Sequence, residues 1–169
     1  MRATSAVTAR ILVLGCGNPS RGDDALGPAL VARTRDWLAS HPGNDVRLVE
    51  DFQLQVEHAL DVLDADLTLF VDADASSHAP FYLRRTMPER DASYTTHELS
   101  PEAVLHAARV VTGRDPPPAY VLGVRGERFE LGEPLSPAAA GHLEAAWDEL
   151  MELLDDPRQS AWDARAAGW

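Results

Sequence analysis

The sequence predicts an α/β fold in three layers, a mostly parallel twisted sheet with helices on both faces. Two observations lead to this prediction. Short, wholly apolar runs, such as residues 11–14 and 67–71, are typical of strands that are buried on both faces. Segments with helical spacing of apolar residues alternate with these runs, as they do where crossover helices join parallel strands.

The first part of the chain contains three predicted strands and two predicted helices. Residues 11–14, 46–50 and 67–71 form the strands. The helix between the first two strands is predicted from Asp24 to residue 39, because its apolar residues recur at helical spacing. The same pattern predicts a second helix over residues 55–64.

The second part of the chain contains two further strands and two well-marked helices. Residues 81–84 are predicted as a strand in either an edge or a loop setting, because prolines flank them, and residues 119–122 as a buried strand. Ser100-Pro101 and Ser136-Pro137 each predict a helix start, with a serine cap followed by proline at the first helical position. Gly113 is predicted to end the first of these helices.

The domain organisation follows from the length and from these elements. A chain of 169 residues is expected to form one domain, which we assign to residues 10–154. Residues 1–9 and 155–169 are predicted to be flexible terminal segments, although Trp162 and Trp169 could dock onto the domain.

Composition and charge exclude several classes of partner. The formal net charge of -12 disfavours nucleic acid and anionic membrane surfaces. Cys16 is the one cysteine, so no internal disulfide forms. The sequence contains neither a signal-peptide pattern nor an apolar run near the roughly 20 residues of a membrane span. We therefore expect a soluble, cytoplasmic protein that acts as a monomer.

The most informative segment is the turn after the first strand, Gly15-Cys-Gly-Asn-Pro-Ser-Arg-Gly-Asp-Asp24. Its first two glycines resemble the start of a dinucleotide-binding fingerprint, but Ser20 replaces the third glycine. Asp23 and Asp24 would also repel a pyrophosphate at the start of the helix. One of these carboxylates can cap the helix while the other faces a cleft. A nucleotide-binding oxidoreductase therefore remains the weaker alternative.

Further acidic residues follow the third strand. Because parallel strands end at one edge of the sheet, Asp72 is expected on the same edge as Asp24. Asp74 lies on the same side of the strand as Asp72, so the alternation of side chains does not choose between them. His97 lies in a loop before the Ser100 helix start. Two carboxylates and one imidazole suit zinc or nickel and leave coordination positions open.

Four segments taken in order resemble the hydrogenase maturation endopeptidase family, whose members remove the C-terminal extension of the large subunit of [NiFe] hydrogenases. They are Leu14-Gly-Cys-Gly-Asn-Pro-Ser-Arg-Gly-Asp-Asp-Ala-Leu-Gly27, Leu69-Phe-Val-Asp-Ala73, His97 ahead of Ser100-Pro101, and Val121-Leu-Gly-Val124. The resemblance covers residues 10–154. This sequence departs from the family in having Ala25 where glycine is frequent and Phe52-Gln-Leu-Gln55 in place of a glycine-rich stretch.

The resemblance implies an α/β fold, endopeptidase activity and a hydrogenase large-subunit precursor as the partner. Asp24, Asp72 and His97 match the family residues that bind nickel and serve catalysis. The nickel is carried by the precursor rather than retained by the free enzyme. It either signals that loading is complete or acts as a Lewis acid on the scissile carbonyl or a water. The residues expected to contact the substrate are Gly15, Gly17, Asn18 and Asp23. The alternative is a nickel-binding accessory protein without protease activity.

Overall fold

The computed structural model describes residues 8–90 and 99–169, and within them five strands form one sheet. The strands are β1 (Ile11–Cys16), β2 (Val46–Asp51), β3 (Leu67–Asp74), β4 (Phe81–Thr86) and β5 (Ala119–Arg125). Their order in the sheet is β2-β1-β3-β5-β4. All neighbouring pairs are parallel except β4 with β5, so β4 is an antiparallel edge strand, which is the first of the two settings that its flanking prolines indicate.

Five α-helices cover both faces of this sheet in the described part of the chain. They are α1 (Leu26–Ser40), α2 (His58–Leu63), α3 (Pro101–Thr112), α4 (Pro137–Asp155) and α5 (Gln159–Ala166). Helices α1, α4 and α5 bury one face, and α2 and α3 bury the other. None of these helices is long and apolar enough to cross a membrane. The predicted three-layer α/β fold is confirmed.

The alternation of side chains along β1 shows why both faces need a cover. Ile11 and Val13 join the core beneath α1, α4 and α5, whereas Leu12 and Leu14 join the core beneath α2 and α3. Each of these four side chains is at most 4% exposed. A strand without polar positions is therefore stable only in the middle layer, and β1 lies there between β2 and β3.

The predicted helix signals of the second half are confirmed. The Oγ atoms of Ser100 and Ser136 accept hydrogen bonds from the amides of Ala103 and Ala139, both at 3.1 Å. Gly113 ends α3 in the left-handed conformation at φ 69°.

The helix starts predicted in the first half lie too early in the sequence. A separate 3-10 turn, Gly22–Ala25, precedes α1, so Asp24 lies in this turn rather than in the helix. Helix α2 begins at His58 rather than at residue 55. There, the imidazole Nδ1 of His58 accepts the amide of Gln55 at 2.9 Å, which is a local alternative to a helical turn.

The prediction of a flexible C-terminal segment over residues 155–169 is wrong. Helix α5 lies in this segment and buries Trp162 completely. The indole Nε1 donates to the carbonyl of Leu153 at 2.9 Å, and the ring makes an edge contact with Tyr120 at a centroid distance of 5.2 Å. Burial of this indole stabilises a helix whose remaining residues are mostly polar.

Candidate active site

The candidate site lies at the carboxyl edge of the parallel strands, where the strand order reverses. Strand β1 connects through α1 to β2 on one side, and β3 pairs with the other side of β1. Ligands of open α/β sheets bind at such a switch point. Asp24 follows β1, and Asp72 lies near the end of β3. The structure thus brings both predicted acidic residues to the same edge.

Contacts between the loops at this edge bring the two segments close together. A β-carbon at Gly27 would lie 2.2 Å from the carbonyl oxygen of Cys16 and 3.0 Å from that of Val71. Only a glycine at the start of α1 permits this approach to both β1 and β3. The beginning of α1 therefore rests on the ends of these strands, between the segments that bear Asp24 and Asp72.

Asp24 is held in a defined position but is not fully buried. Its Oδ2 accepts the backbone amide of Asn18 at 2.7 Å, and its own amide donates to the carbonyl of Arg21 at 3.1 Å. The side chain is half-buried. Because the Asn18 amide is already occupied by a carboxylate, it is not available as a phosphate donor. This arrangement disfavours the nucleotide-binding alternative.

Asp72 and Asp74 have different surroundings, which the sequence pattern alone did not distinguish. Both are half-buried and line a cavity of about 140 Å³, and Oδ1 of Asp72 accepts the amide of Ala73 at 2.8 Å. In contrast, Oδ1 of Asp74 accepts the amide and hydroxyl of Ser76 at 2.8 and 2.9 Å and the amide of Ser77 at 3.1 Å. Asp74 thus closes a local turn.

The hydrogen bonds to Asp74 also determine its protonation. Burial of the carboxylate raises its pKa, but the donors of Ser76 and Ser77 outweigh this effect, and the pKa of Asp74 lies below its usual value. A carboxylate with its charge compensated in this way is a structural group. Of the two acidic residues, Asp72 is therefore the candidate for contact with a ligand.

Asp23 is fully buried and binds other parts of the chain, which contradicts its predicted contact with a substrate. Its Oδ2 accepts the amides of Glu127 and Arg128 at 2.7 and 3.0 Å and the hydroxyl of Ser136 at 2.8 Å. Its Oδ1 accepts the amide of Ser136 at 2.7 Å. Burial raises the pKa of Asp23, but these four hydrogen bonds outweigh it and lower the pKa below its usual value.

The two glycines predicted to contact the substrate instead pack against the chain itself. A β-carbon at Gly15 would lie 2.4 Å from Cγ2 of Val31, and one at Gly17 would lie 1.9 Å from the carbonyl oxygen of Asp24. Gly17 also has φ 140°, a conformation that other residues rarely adopt. Both glycines are buried, and they shape the turn that positions Asp24.

An open groove of about 690 Å³ lies beside this turn and is bounded by Asn18, Arg21 and residues 129–131. Nε of Arg21 donates to the carbonyl of Phe129 at 2.8 Å, and the amide of Gly132 donates to the carbonyl of Ser20 at 2.7 Å. These two hydrogen bonds join the turn after β1, which forms one wall of the groove, to the segment around residues 129–132, which forms the other. Asn18 contacts Asp24 and also lines the groove, which places the groove next to Asp24.

His97 lies outside the described residues. Within residues 8–90 and 99–169, no group of three His, Cys, Asp or Glu side chains is arranged to hold a metal ion. The described part of the site therefore consists of the two carboxylates, Asp24 and Asp72, each of which is half-buried. Cys16 is 3% exposed and belongs to the core beneath α2 and α3, so it packs as a small buried residue.

One pair of polar side chains at this edge was not singled out in the sequence. Asp51 ends β2, and its Oδ2 lies 3.3 Å from Nε2 of the buried His58. Because Nδ1 of His58 accepts the Gln55 amide, the proton of the neutral ring is on Nε2 and points to Asp51. The available sequence signal was Asp51, an acidic residue at the end of a third strand. Its partner His58 could not be predicted, because their contact depends on the path of the loop between β2 and α2.

Comparison with known proteins gives similarity in structure only. No family model and no curated protein sequence matches the chain. The hydrogenase maturating endopeptidase HybD from E. coli is 26% identical, with a TM-score of 0.66 over 88% of this chain and 93% of that chain. A hydrogenase 2 maturation peptidase from a Thaumarchaeota archaeon is 27% identical, with a TM-score of 0.57 over 86% and 98% of the two chains.

A third structure has the same fold at lower identity. The [NiFe] hydrogenase maturation protease HycI from Thermococcus kodakarensis is 23% identical, with a TM-score of 0.66 over 89% of this chain and 96% of that chain. Fold and site together define an α/β protein with acidic residues at the switch point of a parallel sheet. The chain shares this fold over nearly its whole length with these hydrogenase maturation peptidases, two of which are 26% and 27% identical to it.

Proposed function

We propose that this protein is an endopeptidase that removes the C-terminal extension of a [NiFe] hydrogenase large-subunit precursor after nickel insertion. The observation that carries the proposal is the structural similarity to HybD over 88% of the chain at 26% identity. The position of Asp24 and Asp72 at the switch point of the sheet supports it, because that is where such folds bind ligands.

In this proposal nickel belongs to the substrate, and the protein uses it as the recognition element. The precursor presents the ion on its own cysteines, and Asp24, Asp72 and His97 complete the coordination. Carboxylates and imidazole are suitable ligands for nickel. Three such ligands leave positions open, which suits an ion that arrives already held by another chain. The free enzyme is then expected to bind nickel weakly.

The groove beside Asn18 supports a polypeptide as the second part of the substrate. It is open to solvent, and Leu131 at its wall is 76% exposed. The segment of the precursor that leads from the nickel site to the scissile bond would lie there, next to Asp24. We further propose that the protein acts as a monomer in the cytoplasm.

The proposal is tested with the precursor from the same organism in nickel-loaded and nickel-free form. Wild-type protein should shorten the loaded precursor at its C-terminus, as measured by mass spectrometry, and should leave the nickel-free form intact. Asp24→Asn should lower the cleavage rate by about 10²-fold or more, because the asparagine keeps the shape of the side chain but loses its charge. Asp36→Asn is the matched control, since Asp36 is an exposed aspartate on α1.

Failure of the wild type to cleave the loaded precursor would overturn the protease function. Tight binding of that precursor without cleavage would instead support a nickel-binding accessory protein. Equal cleavage by wild type and Asp24→Asn would show that Asp24 does not serve the reaction.

A further inference from the structure

Asp23 joins the turn that bears Asp24 to a distant segment of the chain, residues 126–136. Its carboxylate accepts four hydrogen bonds from Glu127, Arg128 and Ser136, and its amide donates to the carbonyl of Arg128 at 2.7 Å. The preceding residue, Gly22, donates its amide to the carbonyl of Glu133 at 3.0 Å. The turn and the segment are therefore one hydrogen-bonded unit.

The chemistry of this network requires a carboxylate at Asp23. Three of its four partners are backbone amides, which can only donate. The fourth partner, the hydroxyl of Ser136, donates to Asp23 and accepts the amide of Ala139 as the cap of α4. An asparagine would place an NH₂ group against at least one of these donors. A substitution of Asp23 would therefore disturb the hydrogen bonds of the 3-10 turn, of the segment 126–136 and of the start of α4.

Asp23 and Asp24 are consecutive residues of the same 3-10 turn, and their side chains are fixed from opposite sides. Asp23 is held by the segment 126–136, whereas Asp24 is held by the Asn18 amide and packs closely on Gly17. A short turn bonded at both ends has little freedom to shift one carboxylate independently of the other. The orientation of Asp24 thus depends on both sets of bonds.

We infer that Asp23 is a positioning residue that sets the place of the Asp24 carboxylate for the nickel-bearing substrate. This inference rests on the proposed function. Asp23 is 0% exposed and does not itself reach a substrate, so it acts through Asp24. The competing explanation is that Asp23 only stabilises the fold.

A kinetic experiment separates these explanations. Processing of the nickel-loaded precursor gives kcat/KM, and the nickel-free precursor, used as a competitive inhibitor, gives a Ki that reports docking without nickel. For Asp23→Asn we expect kcat/KM to fall by about 10²-fold, because small displacements of reacting groups have effects of this size. The Ki of the nickel-free precursor should remain at the wild-type value, and circular dichroism should show a folded protein.

Ser136→Ala is the second variant, for use if Asp23→Asn does not fold. It removes one of the four hydrogen bonds and leaves the three backbone donors on the Asp23 carboxylate. We expect a smaller fall in kcat/KM, again with an unchanged Ki. The exposed Asp36→Asn should change neither quantity.

Three outcomes would overturn the inference or its basis, and they differ from one another. Normal kcat/KM in Asp23→Asn, or in Ser136→Ala if the former is unfolded, contradicts a positioning role. An equal loss of kcat/KM and of affinity for the nickel-free precursor indicates that Asp23 serves the fold alone. Absence of cleavage by the wild type contradicts the proposed function itself.

Discussion

Gly17 packs so closely on Asp24 that a β-carbon at Gly17 would lie 1.9 Å from the Asp24 carbonyl oxygen and 3.3 Å from its Oδ1. The glycine is required for space as well as for its backbone conformation of φ 140°. The glycines of the first turn therefore leave room for an acidic residue, not for a phosphate.

Gly17→Ala is expected to displace Asp24 and to destabilise the protein. Gly43→Ala is the matched control, because Gly43 also has a positive φ of 104° but has open space around it. Backbone strain should cost both variants about 1–3 kcal/mol of unfolding free energy. The clash should add about 1–3 kcal/mol for Gly17→Ala alone. Urea unfolding measures both values, and equal losses would contradict the close contact.

The two acidic residues at the end of β3 should respond differently to removal of charge. Asp72→Asn should lower cleavage of the loaded precursor by about 10²-fold or more. Asp74→Asn should retain cleavage but lose about 1–2 kcal/mol of unfolding free energy, because Asp74 holds Ser76 and Ser77. Cleavage assays and urea unfolding of both variants test this pair, and the reverse result would exchange their roles.

The C-terminal helix is expected to contribute strongly to stability. Trp162→Ala should lower the unfolding free energy by about 3–5 kcal/mol, because it removes a fully buried ring and the hydrogen bond to Leu153. Trp169→Ala serves as the control, since Trp169 is 57% exposed and contacts Phe81 at a centroid distance of 4.6 Å. Trp169→Ala should lower the unfolding free energy by about 1 kcal/mol or less. Thermal and urea unfolding would contradict the docking of α5 if the two losses were alike.

Asp23 should make the stability depend on pH in the acidic range. Its pKa in the folded protein lies below the ordinary value of 3.8, so above that value the stabilisation is fully present. As the pH falls below about 4, the unfolded chain takes up the proton first, and the stabilisation is lost as the pH passes through the lower folded pKa.

Asp23→Asn removes this contribution, and we expect it to lower the unfolding free energy at pH 7 by about 3 kcal/mol. The difference between wild type and variant should shrink as the pH falls below about 4. Urea unfolding at a series of pH values measures it. A difference that stayed constant across this range would contradict the charge-dependent network around Asp23.

Much of the candidate site could be predicted from the sequence because its positions are set by local rules. A strand followed by a glycine turn places Asp24 at the carboxyl edge, and the next parallel strand in the sheet brings Asp72 to the same edge. The roles of Asp23 and Asp74 could not be predicted, because adjacent or alternating carboxylates look alike in sequence. Their partners distinguish them, and those of Asp23 lie more than 100 residues away.

The sequence by itself determined the order and type of the five strands and of helices α1 to α4, through apolar runs for the strands and serine-proline caps for α3 and α4. These signals involve residues only a few positions apart, so they can be read without knowledge of the tertiary structure. Only the tertiary structure decided that Asp23 is an internal hydrogen-bonding group and that Trp162 anchors a C-terminal helix. Both depend on long-range burial, because the free energy of a carboxylate or an indole is determined by the groups that finally surround it.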